Sequence, residues 1–127
     1  MHSNEGSRSI LLVEDDAGIR ESIAECLSYE GYAVTPATNG AEALAWLRRS
    51  ARPDLVVLDL VMPVMNGSQF LDALRADPAW KDIPVVLMTA AMPAAGVPLP
   101  RVDGYLPKPF ELSDLLAVVE RFTAARV

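Results

Sequence analysis

Residues 55–67 read Leu-Val-Val-Leu-Asp-Leu-Val-Met-Pro-Val-Met-Asn-Gly and predict a buried strand followed by a turn. Four apolar residues lead into Asp59, and the turn formers Pro63 and Asn66-Gly67 follow. An apolar run this short, bounded by Pro53 and by turn residues, is typical of a strand buried on both faces. Ligands bind at the carboxyl ends of strands in open α/β sheets, so Asp59 is expected at a functional rim.

The composition limits the kinds of protein that this chain can be. Its 127 residues suit one domain, and 51% hydrophobic with 22% charged residues is typical of a globular fold. A net charge of −6 argues against direct nucleic-acid binding and suits a site where carboxylates hold a cation. The single cysteine gives no disulfide framework. Without a signal-peptide core or the roughly 20 apolar residues of a membrane span, a cytoplasmic protein with no membrane partner is expected.

Short apolar runs alternate with helical patterns along the chain. This alternation predicts an α/β fold with a doubly wound, five-stranded parallel sheet. Polar residues 1–8 are expected to form a flexible arm before a single domain at residues 9–124. The predicted strands are residues 10–13, 32–35, 55–58, 83–88 and 104–107.

Helix ends and helix faces are also marked in the sequence. Asp16 is a suitable N-cap for the first helix, and Asn39 with Glu42 resembles a capping box for the second. The proline-rich residues 90–101 show no helical period, so the fourth helix is expected to be short or disrupted. The residues predicted to face the core at helical spacing are Ile19, Ile23, Cys26 and Leu27, then Leu44 and Leu47, then Phe70, Leu71 and Leu74, and finally Leu112, Leu115, Leu116, Val119 and Phe122.

A chemically useful residue follows or ends four of the predicted strands. These are Glu14-Asp15, Asp59, Thr89 and Lys108. Parallel strands share one edge at their carboxyl ends, so three carboxylates would meet there and repel one another. Mg²⁺ would remove that repulsion, while Lys108 and Thr89 could contact a phosphoryl group carried by Asp59. Each residue alone has an ordinary alternative as a surface charge, helix cap or strand end, and only the combination points to phosphoryl transfer.

The motifs that carry these residues resemble the receiver domain of bacterial two-component response regulators. The likeness extends from about residue 9 to residue 122 and implies a flavodoxin-like (βα)5 fold. The motifs are residues 13–16 (Val-Glu-Asp-Asp), Leu58-Asp59 with Met62-Pro63 and Asn66-Gly67, residues 88–90 (Met-Thr-Ala), and residues 105–110 (Tyr-Leu-Pro-Lys-Pro-Phe).

The resemblance implies a role for each site residue. Asp59 would be the phosphoacceptor and, with Asp15, a Mg²⁺ ligand, assisted by Glu14 and by the backbone carbonyl of Val61. Thr89 and Tyr105 match the family's switch pair, in which the hydroxyl moves toward the phosphate and the ring turns inward. Lys108 matches the lysine that contacts phosphate, and its bond to Pro109 is commonly cis in the family.

The same resemblance implies the partners. A sensor histidine kinase or a histidine phosphotransfer protein would donate the phosphoryl group, and an unknown downstream protein would be the target. Such a chain is a phosphorelay signalling protein rather than an enzyme, apart from slow self-phosphorylation and self-dephosphorylation. Val61 and Ala91 stand two residues after Asp59 and Thr89 and cannot orient an attacking water. A long-lived phosphoryl group is therefore expected.

Two other functions remain open at this point. A hydrolase of the haloacid-dehalogenase type also uses a strand-end aspartate with Mg²⁺. It needs a second aspartate two positions later, where this chain has Val61. A receiver fold that serves only as a constitutive binding module is the other alternative, although the complete set of acids, threonine and lysine gives no reason to favour it.

Overall fold

A computed structural model describes residues 8–60, 66–89 and 101–123 of the chain. Within these ranges five parallel strands form one sheet, and four helices pack on its two faces. No helix in these ranges is long and apolar enough to cross a bilayer. In chain order the elements are β1 (Ser9–Val13), α1 (Ala17–Tyr29), β2 (Ala33–Ala37), α2 (Gly40–Arg49), β3 (Leu55–Asp59), α3 (Gly67–Ala76), β4 (Val85–Thr89), β5 (Gly104–Pro107) and α4 (Leu112–Thr123).

The strand order is β2-β1-β3-β4-β5, which confirms the predicted doubly wound parallel sheet. Several strand ends differ from the prediction by one or two residues, and the largest shifts are at the end of β2 and the start of β4. β2 continues past Thr35 to Ala37, because an edge strand tolerates the missing N–H of Pro36. β4 begins at Val85 rather than residue 83, since Pro84 contributes only its carbonyl, which accepts a hydrogen bond from Val56.

The central strands are buried on both faces, as their unbroken apolar runs predicted. Alternate residues of β3 belong to opposite core layers: Val56 and Leu58 pack with α2 and α3, whereas Leu55 and Val57 pack with α1 and α4. This alternation follows from the two-residue period of a strand. The sheet is therefore fixed from both sides, and the side chains at its carboxyl edge have a rigid support.

Side-chain caps begin three of the helices. The Asp16 carboxylate accepts a hydrogen bond from the backbone N–H of Ile19, which confirms Asp16 as the N-cap of α1. Asn39 caps α2 as predicted, but the Glu42 carboxylate accepts from Thr38 rather than from Asn39, so the capping box is incomplete. The complete capping box lies at α3, outside the predicted set.

Two expectations fall on parts of the chain that the structure does not describe. The predicted arm lies almost wholly in residues 1–7, and the segment predicted to hold a short or disrupted fourth helix, residues 90–101, lies outside the described residues except for Arg101. Arg8, the last residue assigned to the arm, accepts a hydrogen bond from the Ala33 N–H at the start of β2.

Candidate functional site

The register of the sheet aligns the ends of four strands at one edge. Val13 pairs with Leu58, so Glu14 and Asp59 are level with each other on neighbouring strands. Asp59 pairs with Met88, so Thr89 lies one residue beyond that level, and Lys108 lies two residues beyond it on the far side of β4. Residues distant in the sequence therefore meet at the carboxyl edge, as the strand-end pattern predicted.

Three carboxylates converge at this edge. Glu14, Asp15 and Asp59 each offer an oxygen, and these oxygens all lie within 4.8 Å of one another. Glu14 and Asp59 are buried, with 1% and 6% of their surface exposed, whereas Asp15 is exposed. The cluster thus has a buried floor and one side open to solvent, which is the arrangement that a partly hydrated cation requires.

Lys108, the residue directly after β5, also reaches this cluster. Its ammonium donates a hydrogen bond of 3.2 Å to Glu14 Oε1 and lies 3.6 Å from Asp59 Oδ1. The backbone N–H of Lys108 donates to the carbonyl of Thr89, which ties the end of β5 to the end of β4. The Lys108–Pro109 peptide is cis, as the family resemblance implied.

The electrostatics of Glu14 reflect this crowding of acids. Burial raises the pKa of its carboxyl from 4.5 to about 7, and the charge of Asp59 and a hydrogen bond to it act in the same direction. Two hydrogen bonds oppose the rise in pKa, one from the Asp16 N–H and one from Lys108. One positive side chain therefore does not fully compensate the buried acids, and a cation would relieve the remaining repulsion.

The turn between β1 and α1 carries two of the acids and has its own supports. The Glu14 N–H donates to the carbonyl of Ala37 on β2 at 3.0 Å. The Asp16 N–H donates to Glu14 Oε2 at 3.1 Å. The guanidinium of Arg20 donates to the carbonyls of both Glu14 and Asp15. No pattern in the sequence marks Arg20, because a side chain that binds backbone carbonyls leaves no periodic signature.

Gly67 allows α3 to begin directly behind Asp59. Its N–H donates to the carbonyl of Leu60 at 2.8 Å. A Cβ atom at this position would lie 2.8 Å from both the carbonyl oxygen of Asp59 and the Cα of Leu60. Only glycine fits without displacing that backbone. The predicted Asn66-Gly67 turn signal thus marks a helix N-cap and a close approach.

The two predicted switch residues lie on adjacent strands. Thr89 is buried at the end of β4, and Tyr105 on β5 is paired with Leu87 and has 44% of its surface exposed. The ring is thus partly exposed rather than enclosed in the core. Val61, the predicted source of a backbone ligand, lies outside the described residues.

A largely apolar cleft of about 650 Å³ opens beside Lys108, between α1 and the start of α4. Ile19 and Leu112 line it, with 37% and 46% of their surface exposed. Both were predicted to face the core, and that prediction is wrong. Each lies in the first turns of its helix, level with the sheet's carboxyl edge. Their apolar surface borders the acidic site instead.

The acidic cluster has a donor set that fits Mg²⁺. This ion prefers a few carboxylate oxygens and retains several waters, and the exposed side at Asp15 leaves room for them. Lys108 already contacts Asp59, so a negatively charged group on Asp59 would meet a positive charge. Among the described residues, Glu14, Asp15 and Asp59 form the group of side chains that could hold a metal ion.

Comparison with known proteins agrees with this geometry. Residues 10–120 match the family model of the response regulator receiver domain. This chain belongs to that family. The response regulator MprA of Mycobacterium leprae is 42% identical over 112 residues, and that of Mycolicibacterium vanbaalenii is 44% identical over the same length. In both cases the match covers 85% of this chain and 47% of the relative, so the receiver domain spans about half the length of these response regulators.

Solved structures give the same assignment. The chemotaxis response regulator CheY4 of Vibrio cholerae superposes with a TM-score of 0.80 at 32% identity, covering 91% of this chain and 98% of that one. The receiver domain of the sensor histidine kinase PA1611 from Pseudomonas aeruginosa superposes with a TM-score of 0.82 at 27% identity, covering 94% and 99%. That structure is described with a magnesium ion coordinated in its active-site cleft. The chain is thus a receiver domain of two-component signalling with the flavodoxin-like fold.

Proposed function

We propose that this receiver domain accepts a phosphoryl group on Asp59 from a phosphohistidine of a sensor histidine kinase or a histidine phosphotransfer protein. The observation that carries the proposal is the contact of Lys108 with both Glu14 and Asp59 beside three clustered carboxylates. A buried carboxylate next to a fixed ammonium, at an edge open to solvent, is placed to react with an anionic electrophile.

The transfer exchanges one bond to phosphorus for another. A carboxylate oxygen of Asp59 forms the new P–O bond, and the N–P bond of the phosphohistidine breaks. The imidazole nitrogen keeps the electron pair of the broken bond, and the ring ends neutral after taking up one proton. Lys108 lies 3.6 Å from Asp59 Oδ1 and would balance the negative charge delivered to Asp59.

Glu14, Asp15 and Asp59 would hold Mg²⁺, with the carbonyl of Val61 as a proposed further ligand. When bound, Mg²⁺ supplies charge neutralisation between the acidic residues and the phosphoryl oxygens. Buried Glu14 would then act in its charged form. The hydroxyl of Thr89 and the ring of Tyr105 would change position on phosphorylation. Thr89 lies on β4, next to β3, and Tyr105 lies on β5, next to β4.

The product of this chemistry is a changed surface rather than a released compound. We therefore propose a regulatory protein, not a turnover enzyme, whose phosphorylation alters its contact with a downstream protein target. No observation favours nucleic acid as the direct partner, given the net charge of −6. The proposed chemistry concerns the receiver fold and its acidic site alone, and it does not depend on an output domain.

Mass spectrometry of the intact protein tests the proposal. After incubation with acetyl phosphate and Mg²⁺, the wild-type protein should gain one phosphoryl group, and Asp59→Asn should gain none. Asp54→Asn is the matched control, because Asp54 lies at the opposite end of β3, where its carboxylate accepts from Ser9. Labelling that persists in Asp59→Asn would refute the assignment. Steady phosphate release from small phosphomonoesters would favour a hydrolase instead.

A further inference from the structure

The side chain of Arg20 holds the turn that carries the two N-terminal acids of the site. Its Nη1 donates hydrogen bonds to the carbonyl oxygens of Glu14 at 2.9 Å and Asp15 at 3.2 Å. The Arg20 N–H donates to the carbonyl of Asp16 at 2.8 Å, in the first turn of α1. Helical side chains lean toward the helix N-terminus, so the guanidinium reaches back over the turn.

The two acids depend on this support to different degrees. Glu14 is buried and its carboxylate is held by the Asp16 N–H and by Lys108. Asp15 is exposed, and within the described part of the chain its carboxylate accepts no hydrogen bond. Apart from its own side-chain torsions, the position of the Asp15 carboxylate is therefore set by its backbone. The carbonyl of that residue is bonded to Arg20.

We propose that Arg20 is a positioning residue for the cation site. By binding two consecutive carbonyls it fixes the β1–α1 turn, so that the Asp15 carboxylate stays near Glu14 and Asp59 before a cation arrives. Preorganisation of this kind raises affinity because fewer backbone conformations are lost on binding. The inference rests on the proposed function, since it concerns the same acidic cluster.

Charge and positioning make opposite predictions for Arg20. The guanidinium is permanently positive and lies near the acids, so its charge alone repels Mg²⁺. If only the charge mattered, Arg20→Ala would bind Mg²⁺ more tightly and Arg20→Lys would bind as wild type. If positioning dominates, both variants bind more weakly, because lysine keeps the charge but not the length and planar geometry of the guanidinium.

Arg75 offers a control with the same chemistry elsewhere in the fold. Its Nη1 also donates to two loop carbonyls, those of Lys81 at 2.7 Å and Ile83 at 2.9 Å. These groups precede β4 and lie at the amino-terminal ends of the strands, whereas the acidic cluster lies at their carboxyl ends. Arg75→Ala should therefore destabilise the protein without changing the cation site.

A titration of the full chain with MgCl₂, followed by amide chemical shifts, tests the inference. We expect the Mg²⁺ dissociation constant to rise about tenfold in Arg20→Ala and Arg20→Lys, the effect typical of losing a residue that holds a metal ligand in place. Arg75→Ala should stay within about twofold of wild type, because distant sites act independently. Amide hydrogen exchange at Asp15 and Asp16 in the metal-free protein should be faster in the Arg20 variants than in wild type or Arg75→Ala.

Unchanged or tighter Mg²⁺ binding in both Arg20 variants, with wild-type exchange rates in the turn, would overturn the positioning role and leave the proposed function intact. A wild-type protein that binds no Mg²⁺ and accepts no phosphoryl group would overturn both. Tighter binding in Arg20→Ala alone would identify Arg20 as a source of charge rather than a positioning residue.

Discussion

Lys108 Nζ donates a hydrogen bond of 3.2 Å to Glu14 Oε1 across 94 residues of chain. The same nitrogen lies 3.6 Å from Asp59, so one ammonium connects the ends of β1, β3 and β5. With 19% of its side chain exposed, Lys108 can still be reached by an incoming anion. In the proposed function, this contact would set a positive charge beside the phosphoryl group that Asp59 receives.

Replacement of Lys108 by glutamine should slow phosphorylation of Asp59 by acetyl phosphate by about a hundredfold. The reason is that no positive side chain would then balance the charge delivered to Asp59. The measurement is the initial rate of phosphoryl gain by intact mass at saturating Mg²⁺. Lys81→Gln, at the opposite edge of the sheet, should react at the wild-type rate. Equal phosphorylation rates in the two variants would show that Lys108 does not assist the transfer.

Glu14 predicts how stability depends on pH in the metal-free protein. Its pKa is about 7 when folded against 4.5 ordinarily, so between these values the folded protein binds more protons than the unfolded chain. The contribution of protonated Glu14 to the free energy of unfolding is complete below pH 4.5 and is lost as the pH rises through 7. We expect a loss of roughly 1–3 kcal/mol in the free energy of unfolding.

Urea unfolding between pH 5 and 8 measures this loss, and Glu14→Gln isolates the group. The difference in unfolding free energy between wild type and Glu14→Gln should grow with pH and shrink again when Mg²⁺ is added. Mg²⁺ binds the deprotonated carboxylates, so its stabilising effect should increase over the same range. A difference that is independent of pH would show that Glu14 titrates normally in the folded protein.

Gly67→Ala should destabilise the protein by about 1–3 kcal/mol. The added methyl group would lie 2.8 Å from the Asp59 carbonyl oxygen and the Leu60 Cα, and backbone atoms cannot move aside as a flexible side chain can. The shift should also slow phosphorylation, because Asp59 moves with its backbone. Gly18→Ala is the control: its methyl group would contact only Asp16 Oδ1, at 3.4 Å, and alanine favours a helix.

Thermal unfolding of the two glycine variants gives a simple comparison. Gly67→Ala should melt below wild type, and Gly18→Ala at or above it. If Gly67→Ala melted with wild type and kept its phosphorylation rate, the start of α3 would have more freedom than the close approach to Asp59 implies.

The strand-end residues were predictable, because apolar runs identify buried parallel strands and parallel strands share an edge. The same pattern predicts that Glu14, Asp59 and Lys108 meet at that edge, and the structure brings them together. The exposure of Ile19 and Leu112 was not predictable. Helical periodicity assigns residues to a face but does not show where the opposing sheet ends. Both residues lie level with that end and line the cleft instead.

The hydrogen bonds that support the site could not be predicted from the sequence, for a different reason. Arg20 acts through backbone carbonyls, which every residue possesses, so no partner residue reveals the contact. The capping box of Asn66 and Gln69 is present in the sequence too, but the Asn-Gly pair inside it predicts only a turn. The sequence therefore gives the reactive groups more readily than the bonds that hold them in place.

The cleft beside Lys108 predicts a difference between protein and small-molecule donors. A protein that delivers a phosphohistidine to Asp59 must cover this rim, where Ile19 and Leu112 expose apolar surface. Ile19→Glu and Leu112→Glu should slow transfer from a histidine kinase or phosphotransfer protein that phosphorylates the wild type by at least about tenfold. Labelling by acetyl phosphate should stay near the wild-type rate.

Tyr29→Glu is the control for these rim variants. Tyr29 has 88% of its surface exposed but lies at the far end of α1 from the cleft. Transfer to this variant should match the wild type from either donor. If the rim variants accepted phosphate from the protein donor as fast as Tyr29→Glu does, the donor would approach Asp59 from another side.

The phosphoryl group on Asp59 should be long-lived, because the two residues that follow Asp59 and Thr89 by two positions, Val61 and Ala91, lack a polar side chain that could orient water. Val61→Asn and Ala91→Asn together should shorten the half-life by about tenfold or more. The measurement is the decay of the phosphorylated mass after donor removal at constant Mg²⁺. Ser68→Asn, which adds the same group on the exposed face of α3, should decay as wild type. A wild-type half-life of only seconds would show that water reaches the phosphoryl group without help from these positions.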